Sequence, residues 1–277
     1  MSVFDERKID CHNHICDPSR FPYQPNTPYE PKGAELTHAN MFLQLLDVYG
    51  GSHALIVGLN SGYGENDNRA LLDAIARSNG RFKGMAVVST DCSRATLEEL
   101  KAKGVVGVTF NAAYYGVDHY ADVDALLGYL ADLELIAQVQ TTGDQLSELM
   151  PVFAQHDVPL VLDHCGRPDL SQGVNGKDFQ AVLALANNPN AYIKVSGFAK
   201  FSQQGFPYTD CDPYVEKIKA AFGVNRCLWG SDWPFLQAPE RIDYGMLLTI
   251  AARHFPDKHE REHYFWKNAA RLYGFEA

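Results

Sequence analysis

The segment Ile9-Asp10-Cys11-His12-Asn13-His14 places two histidines one residue apart at the end of a short apolar run. Side chains on a strand alternate between faces, so residues two apart project together. Two imidazoles at one spot can bind a metal ion, grip an anion or polarise a carbonyl. They can also be histidines satisfied by nearby carbonyls, so the pair needs company before it means chemistry. Two later segments offer it: Asp163-His164-Cys165-Gly166-Arg167-Pro168 and Trp229-Gly230-Ser231-Asp232-Trp233-Pro234. Each brings polar groups to the end of an apolar run, His164 in one and Asp232 in the other.

The elements that must position these groups recur along the chain. Apolar runs rich in β-branched residues stand at 8–14, 54–59, 82–88, 105–110, 135–140, 159–162, 191–195 and 226–229. They read as strands buried on both faces. Amphipathic helices are expected between them, near 39–49, 68–78, 95–103, 121–133, 143–155, 178–186, 213–222 and 241–255, with Asp212 as an N-cap ahead of Pro213. A last helix, near 258–273, closes the chain. Eight strands alternating with helices predict a single-domain (β/α)8 TIM barrel over 1–277 with an extra C-terminal helix. The alternative is a doubly wound open sheet, which usually carries a Gly-rich loop after its first strand; here that strand ends in His-Asn-His. In a barrel the carboxyl ends of the strands carry the chemistry, and the first and eighth strands are neighbours. Asp232 is therefore expected beside His12 and His14, with His164 facing the same volume. The segment 17–32, with Pro22, Pro25, Pro28 and Pro31, is too broken for a regular element and is a candidate lid or pocket wall.

Composition narrows the function classes. The chain has 277 residues, 46% hydrophobic, with a net charge of −10. One α/β barrel needs about 250 residues. The basic residues are scattered, which argues against nucleic acid or an anionic membrane as partner, while a small anionic substrate stays compatible. Cys11, Cys16, Cys92, Cys165, Cys211 and Cys227 form no C-x-x-C pair and are expected as reduced thiols of a cytoplasmic protein. Residues 1–8 lack a signal-type apolar core, and no apolar run reaches the roughly 18 residues of a membrane span. A homo-oligomer is compatible with all of this.

With Asp10-Cys11-His12-Asn13-His14, Phe21-Pro22-Tyr23 and Tyr29-Glu30-Pro31, Asp163-His164-Cys165-Gly166-Arg167-Pro168 and Trp229-Gly230-Ser231-Asp232-Trp233-Pro234 in register, the chain resembles the amidohydrolase superfamily. It is most similar to the lactone-hydrolysing branch that includes 2-pyrone-4,6-dicarboxylate lactonase and the sugar lactonases. The resemblance implies a hydrolase that opens the ester ring of a small carboxylated or sugar-acid lactone. Asp232 would be the general base, and His12, His14 and His164 would polarise the carbonyl.

Metal-dependent members of the superfamily complete their site with Lys or Glu after the fourth strand, or His after the fifth. Here those places hold Thr109 and Asn111, and Gln138 and Gln140; Lys101 and Lys103 sit at the wrong end. No cofactor is expected, with one divalent metal such as Zn on His12, His14 and Asp232 as the alternative. The branch's Arg before Phe-Asn at the fourth strand is Thr109 here, and its Arg after the seventh strand is Lys200. Lys does not grip a carboxylate in the bidentate manner of Arg. A lactone with one carboxylate or a hydroxylated sugar lactone therefore suits the pocket, with Tyr29, Ser61, Asn111, Gln140 and Lys200 as substrate-binding residues, Tyr114 nearby and Lys200 as the anion hook. The rival functions are a sugar-acid lactone isomerase on the same residues and a mononuclear metal-dependent hydrolase or decarboxylase; a non-catalytic ligand-binding barrel is the remaining class.

Overall fold

The computed structural model describes residues 2–276; Met1 and Ala277, the two ends of the expected domain, lie outside the described residues. The eight expected strands form β1 (Lys8–Asn13), β2 (Gly51–Val57), β3 (Phe82–Ala86), β4 (Val105–Asn111), β5 (Ile136–Gln140), β6 (Leu160–Leu162), β7 (Ala191–Lys194) and β8 (Cys227–Leu228). They run parallel in the order β1 to β8. The segment after β8 then meets β1. Cys11 N donates to Trp229 O at 3.0 Å, Asp232 N to His12 O at 2.8 Å and His14 N to Trp233 O at 2.9 Å. The (β/α)8 barrel read from the sequence is the architecture observed.

The surrounding helices are α1 (Ala39–Val48), α2 (Arg69–Arg77), α3 (Arg94–Ala102), α4 (Ala112–Tyr115), α5 (Asp124–Asp132), α6 (Gln145–Phe153), α7 (Lys177–Leu185), α8 (Asp212–Phe222) and α9 (Tyr244–His254). Apart from the single turn α4, each turns an apolar stripe to the outer strand faces, as with Phe42 and Leu46 of α1 and Val215 and Ile218 of α8. Three expectations shift. The single turn α4 is not among the expected helices, being too short to show a helical period. Asp212 is the first helical residue rather than the cap of α8, because a 3-10 turn, Thr209–Cys211, already winds the chain before it. Its carboxylate instead pairs with Arg253 of α9 at 2.8 Å. The last helix is α10 (Lys258–Glu262) and α11 (Asn268–Tyr273), joined by a π turn over His263–Lys267. Among the described residues no helix is long and apolar enough to cross a membrane, and all six cysteines are buried and unpaired.

The lower barrel is filled by Ile9, Cys11, Leu55, Val57, Met85, Ile136, Val161 and Leu228, plugged by Tyr273 and Phe275. Ile9 and Cys11 thus point inward, and strict alternation would send His12 and His14 out. The register corrects this. Asp10 pairs with Ala54 but Asn13 pairs with Ile56, so β1 advances three residues while β2 advances two. One inserted residue reverses the parity and turns the histidine pair into the barrel mouth, as bulges do beside active sites.

Asp10 is fully buried below that slip. Its Oδ1 accepts from His12 N at 3.2 Å and Ser231 N at 2.9 Å, and Tyr244 donates to Oδ2 at 3.1 Å. Burial pushes its pKa up to about 6 in spite of these bonds. A carboxyl raised on folding adds stability below its unfolded pKa and loses it as pH rises through the folded value. Asp10→Asn keeps Oδ1 as acceptor and gives the Tyr244 oxygen a donor. We expect its thermal midpoint to equal or exceed that of the wild type at pH 7 and to fall below it at pH 4; scanning calorimetry at both values checks this.

Candidate active site

Four elements deliver the site at the carboxyl end of the barrel. The end of β1 supplies His12 and His14, the turn after β6 His164, the turn after β7 Lys200 and the turn after β8 Asp232. The Nε2 atoms of His12, His14 and His164 lie 3.7, 4.0 and 3.6 Å from one oxygen, Asp232 Oδ1. The other oxygen, Oδ2, faces Lys200 Nζ at 3.4 Å. The convergence expected from three separate strand ends is present.

The backbone is strained to achieve it. His164, Arg167 and Asp232 have φ of 50°, 48° and 62°, a left-handed conformation that costs a residue with a Cβ about 1–2 kcal/mol. Such strain gathers where a site needs a side chain aimed against local preference. Two glycines make room. A Cβ on Gly230 would stand 2.8 Å from His12 Cβ, and one on Gly197, at φ 64°, would stand 2.3 Å from His164 Nδ1. Gly197→Ala must therefore displace the His164 ring. Because misplacing a reacting group by about 1 Å costs on the order of 10²-fold, we expect a kcat loss of that order with the barrel still folded, read by steady-state kinetics beside circular dichroism.

Burial sets the charge states. It drives His12 well below the usual imidazole value, with the Lys194 ammonium next in effect. It also lowers His14, and it takes His164 down to about 3 against the pull of Asp232. All three rings are neutral near pH 7. Burial alone would raise Asp232, but Lys200, His164 and His14 together hold it below the ordinary carboxylate range, so it is ionised. His14 Nδ1 lies 3.0 Å from Val57 O. A carbonyl only accepts, so Nδ1 carries the proton and Nε2 offers a lone pair to the cavity.

The cavity above these groups measures about 320 Å³, and Tyr29, Ser61, Asn111, Gln140 and Lys200 all line it, as does Tyr114. Lys200 is less free than expected, since Nζ donates to Leu236 O at 2.6 Å and faces Asp232. The unengaged cation is Arg167, which also lines the cavity. Among the described residues its Nε has no hydrogen-bond partner, and neither has Asn111 Oδ1. The Pro-rich segment forms one wall. Glu35 accepts from the Tyr29 hydroxyl and, at 2.7 Å, from Gln237 N, tying that wall to the turn after β8.

Beneath the cavity lies a polar floor that sequence reasoning missed. Lys194, at the end of β7, is fully buried. Its Nζ is 2.7 Å from Gln138 Oε1, 2.9 Å from Asp163 Oδ1 and 3.2 Å from His12 Nδ1. Gln138 Nε2 in turn donates to Asp163 Oδ2 at 2.9 Å.

The profile of the amidohydrolase family matches residues 9–275. The chain belongs to the amidohydrolase family. Within it, the chain is 30% identical over 276 residues to a 4-sulfomuconolactone hydrolase of Rhizobium radiobacter, covering 96% of this chain and 89% of the relative. It is 30% identical over 279 residues to a 2-pyrone-4,6-dicarboxylate hydrolase of Comamonas testosteroni, with the same two coverages, 96% and 89%. A crystal structure titled "probable 2-pyrone-4,6-dicarboxylic acid hydrolase" from Acinetobacter baumannii, with citric acid bound, superposes with a TM-score of 0.84 at 27% identity, covering 97% of this chain and 99% of that one.

Two donor groups come close enough to hold an ion. One atom each of His12, His14 and Asp232 come within 4.8 Å of one another, as do those of His12, Asp163 and His164. The second group is already served by the Lys194 ammonium, 2.9 Å from Asp163 Oδ1. The first needs the Nε2 lone pair of His12. Lys194 Nζ stands 3.2 Å from Nδ1 of that ring; with the ammonium as donor, Nδ1 accepts and the neutral imidazole carries its proton on Nε2. The distances suit an ion; that protonation pattern would not.

Proposed function

We propose that this amidohydrolase opens the ester ring of a small lactone bearing one anionic group, without a metal. The observation that carries the reading is the convergence of three neutral imidazoles on one oxygen of an ionised, buried carboxylate in a polar cavity. Asp232 takes a proton from water as the water oxygen bonds to the lactone carbonyl carbon. The carbonyl electrons move to its oxygen, which receives Nε2–H from His12 and from His164; the Ser196 hydroxyl, 3.1 Å from His164 Nδ1, suits that tautomer. His14 has a narrower part than first expected: its Nε2 lone pair accepts the second water hydrogen and orients the nucleophile. When the carbonyl re-forms, the ring C–O bond breaks and Asp232 returns its proton to the leaving oxygen. Water is consumed and an open-chain hydroxy acid is released.

Arg167 supports the substrate class. It is a cavity-lining cation that feels the Asp232 charge but whose Nε has no hydrogen-bond partner among the described residues, whereas Lys200 is in contact with Asp232 and Leu236. Thr109, not an arginine, lines the cavity from β4. Two relatives are named for a sulfo and a dicarboxylate lactone, in keeping with an anionic ligand. A panel of carboxylated, hydroxylated and neutral lactones, followed by a pH indicator and by NMR of the products, tests the reading. Acid release with an open-chain product is expected. A ring-migrated lactone without acid release would assign an isomerase instead.

A further inference from the structure

We propose that Lys194 is the resident cation of this site: by donating to Nδ1 of His12 it fixes that ring as the Nε2–H tautomer, which makes His12 a hydrogen-bond donor to the cavity and closes the site to metal ions. The inference rests on the metal-free part of the reading above. An ammonium has three N–H bonds to place, and burial leaves it no water. Lys194 hydrogen-bonds Gln138 Oε1 at 2.7 Å and His12 Nδ1 at 3.2 Å, while Asp163 Oδ1, 2.9 Å away, is an ion-pair partner without a directed hydrogen bond. The bond to His12 forms only if Nδ1 is unprotonated.

A competing arrangement is also at hand. Asp163 Oδ1 lies 3.3 Å from His12 Nδ1, and a carboxylate that takes Nδ1–H is the usual partner of a metal-binding histidine. Here the ring N–H direction does not meet that oxygen, which makes no directed hydrogen bond, while the Lys194 contact to Nδ1 has hydrogen-bond geometry. Gln138 completes the device by bridging Lys194 and Asp163, so the carboxylate is turned toward the amide and the ammonium. The positive charge that an ion would bring to the barrel floor is supplied by the chain itself.

Lys194 is a positioning residue and acts through His12. The decisive readout needs no lactone. In protein labelled with 15N-histidine, the His12 ring, assigned by comparison with His12→Gln, is expected to show a protonated-type shift at Nε2 and an unprotonated-type shift at Nδ1. A protonated Nδ1 in the wild type overturns the proposal. Lys194→Met, which keeps the length and removes the charge, frees Nδ1 to turn its proton toward Asp163. Zinc binding by equilibrium dialysis is then expected to tighten at least ten-fold over the wild type, and equal affinities overturn the proposal. If Lys194→Met does not fold, the wild-type spectrum alone decides. Failure of the lactone panel leaves both readouts intact, so the two readings fall separately.

Discussion

Asp232→Asn is expected to lower kcat about 10²–10⁴-fold on any lactone the enzyme opens, the usual worth of a positioned general base. The amide matches the carboxylate in shape but cannot take a proton from water. The fold should survive, because Asn tolerates left-handed backbone better than other residues with a Cβ, and Asp232 holds β1 through its main chain, N–H to His12 O at 2.8 Å. The variant also removes a pH limb. With its pKa held below the ordinary carboxylate range by Lys200, His164 and His14 against the effect of burial, Asp232 keeps the wild-type base until the medium is more acidic than a free carboxylate would need. That acid limb of kcat/KM should vanish from the residual activity of the variant. Stopped-time assays with thermal melts check the expectation, and retention of more than about a tenth of the rate would take Asp232 out of the base role.

Arg167→Met is the second large effect, and it is selective. A hydrogen bond to a charged group is worth about 1.5–3 kcal/mol, more when its loss strands a buried charge. The variant should therefore lose roughly 10–100-fold or more in kcat/KM on a carboxylated lactone. A neutral lactone of the same ring should be turned over almost as before. Arg167→Lys should recover part of the loss, since a point charge replaces a planar fork. An equal loss on charged and neutral substrates would mean that Arg167 supports the turn after β6, where its φ is 48°, and not the ligand.

Much of this was legible in the residues. Apolar runs at regular intervals specify the barrel, because parallel strands covered on both faces must be apolar throughout. Polar residues that end such runs then stand out, which is how His12, His14, His164 and Asp232 were found. Lys194 was not, because a lysine closing Ala191-Tyr192-Ile193 resembles the solvated end of a strand; only closure of the sheet brings Gln138 and Asp163 against it. Arg167 is visible in its motif but its role is not, since its aim depends on two left-handed residues upstream, His164 and Cys165. The histidine pair was placed correctly on an incomplete reason. Alternation explains why the two rings share a face, but the inserted residue in β1 decides which face, and a register slip leaves no mark on composition.

The closure of the barrel has a consequence for how the enzyme fails. β8 is held to β7 by only two residue pairs, Ile193 with Cys227 and Lys194 with Leu228, and its continuation joins β1 through the amides of Cys11, His14 and Asp232. The seam that closes the cylinder against β1 and the line of reacting groups are the same stretch of chain. Opening of that seam would separate the base from the imidazoles. Protection of those three amides against hydrogen exchange then measures the working lifetime of the catalyst, and substitutions that brace strands elsewhere in the barrel lengthen that lifetime only as far as they keep the seam shut.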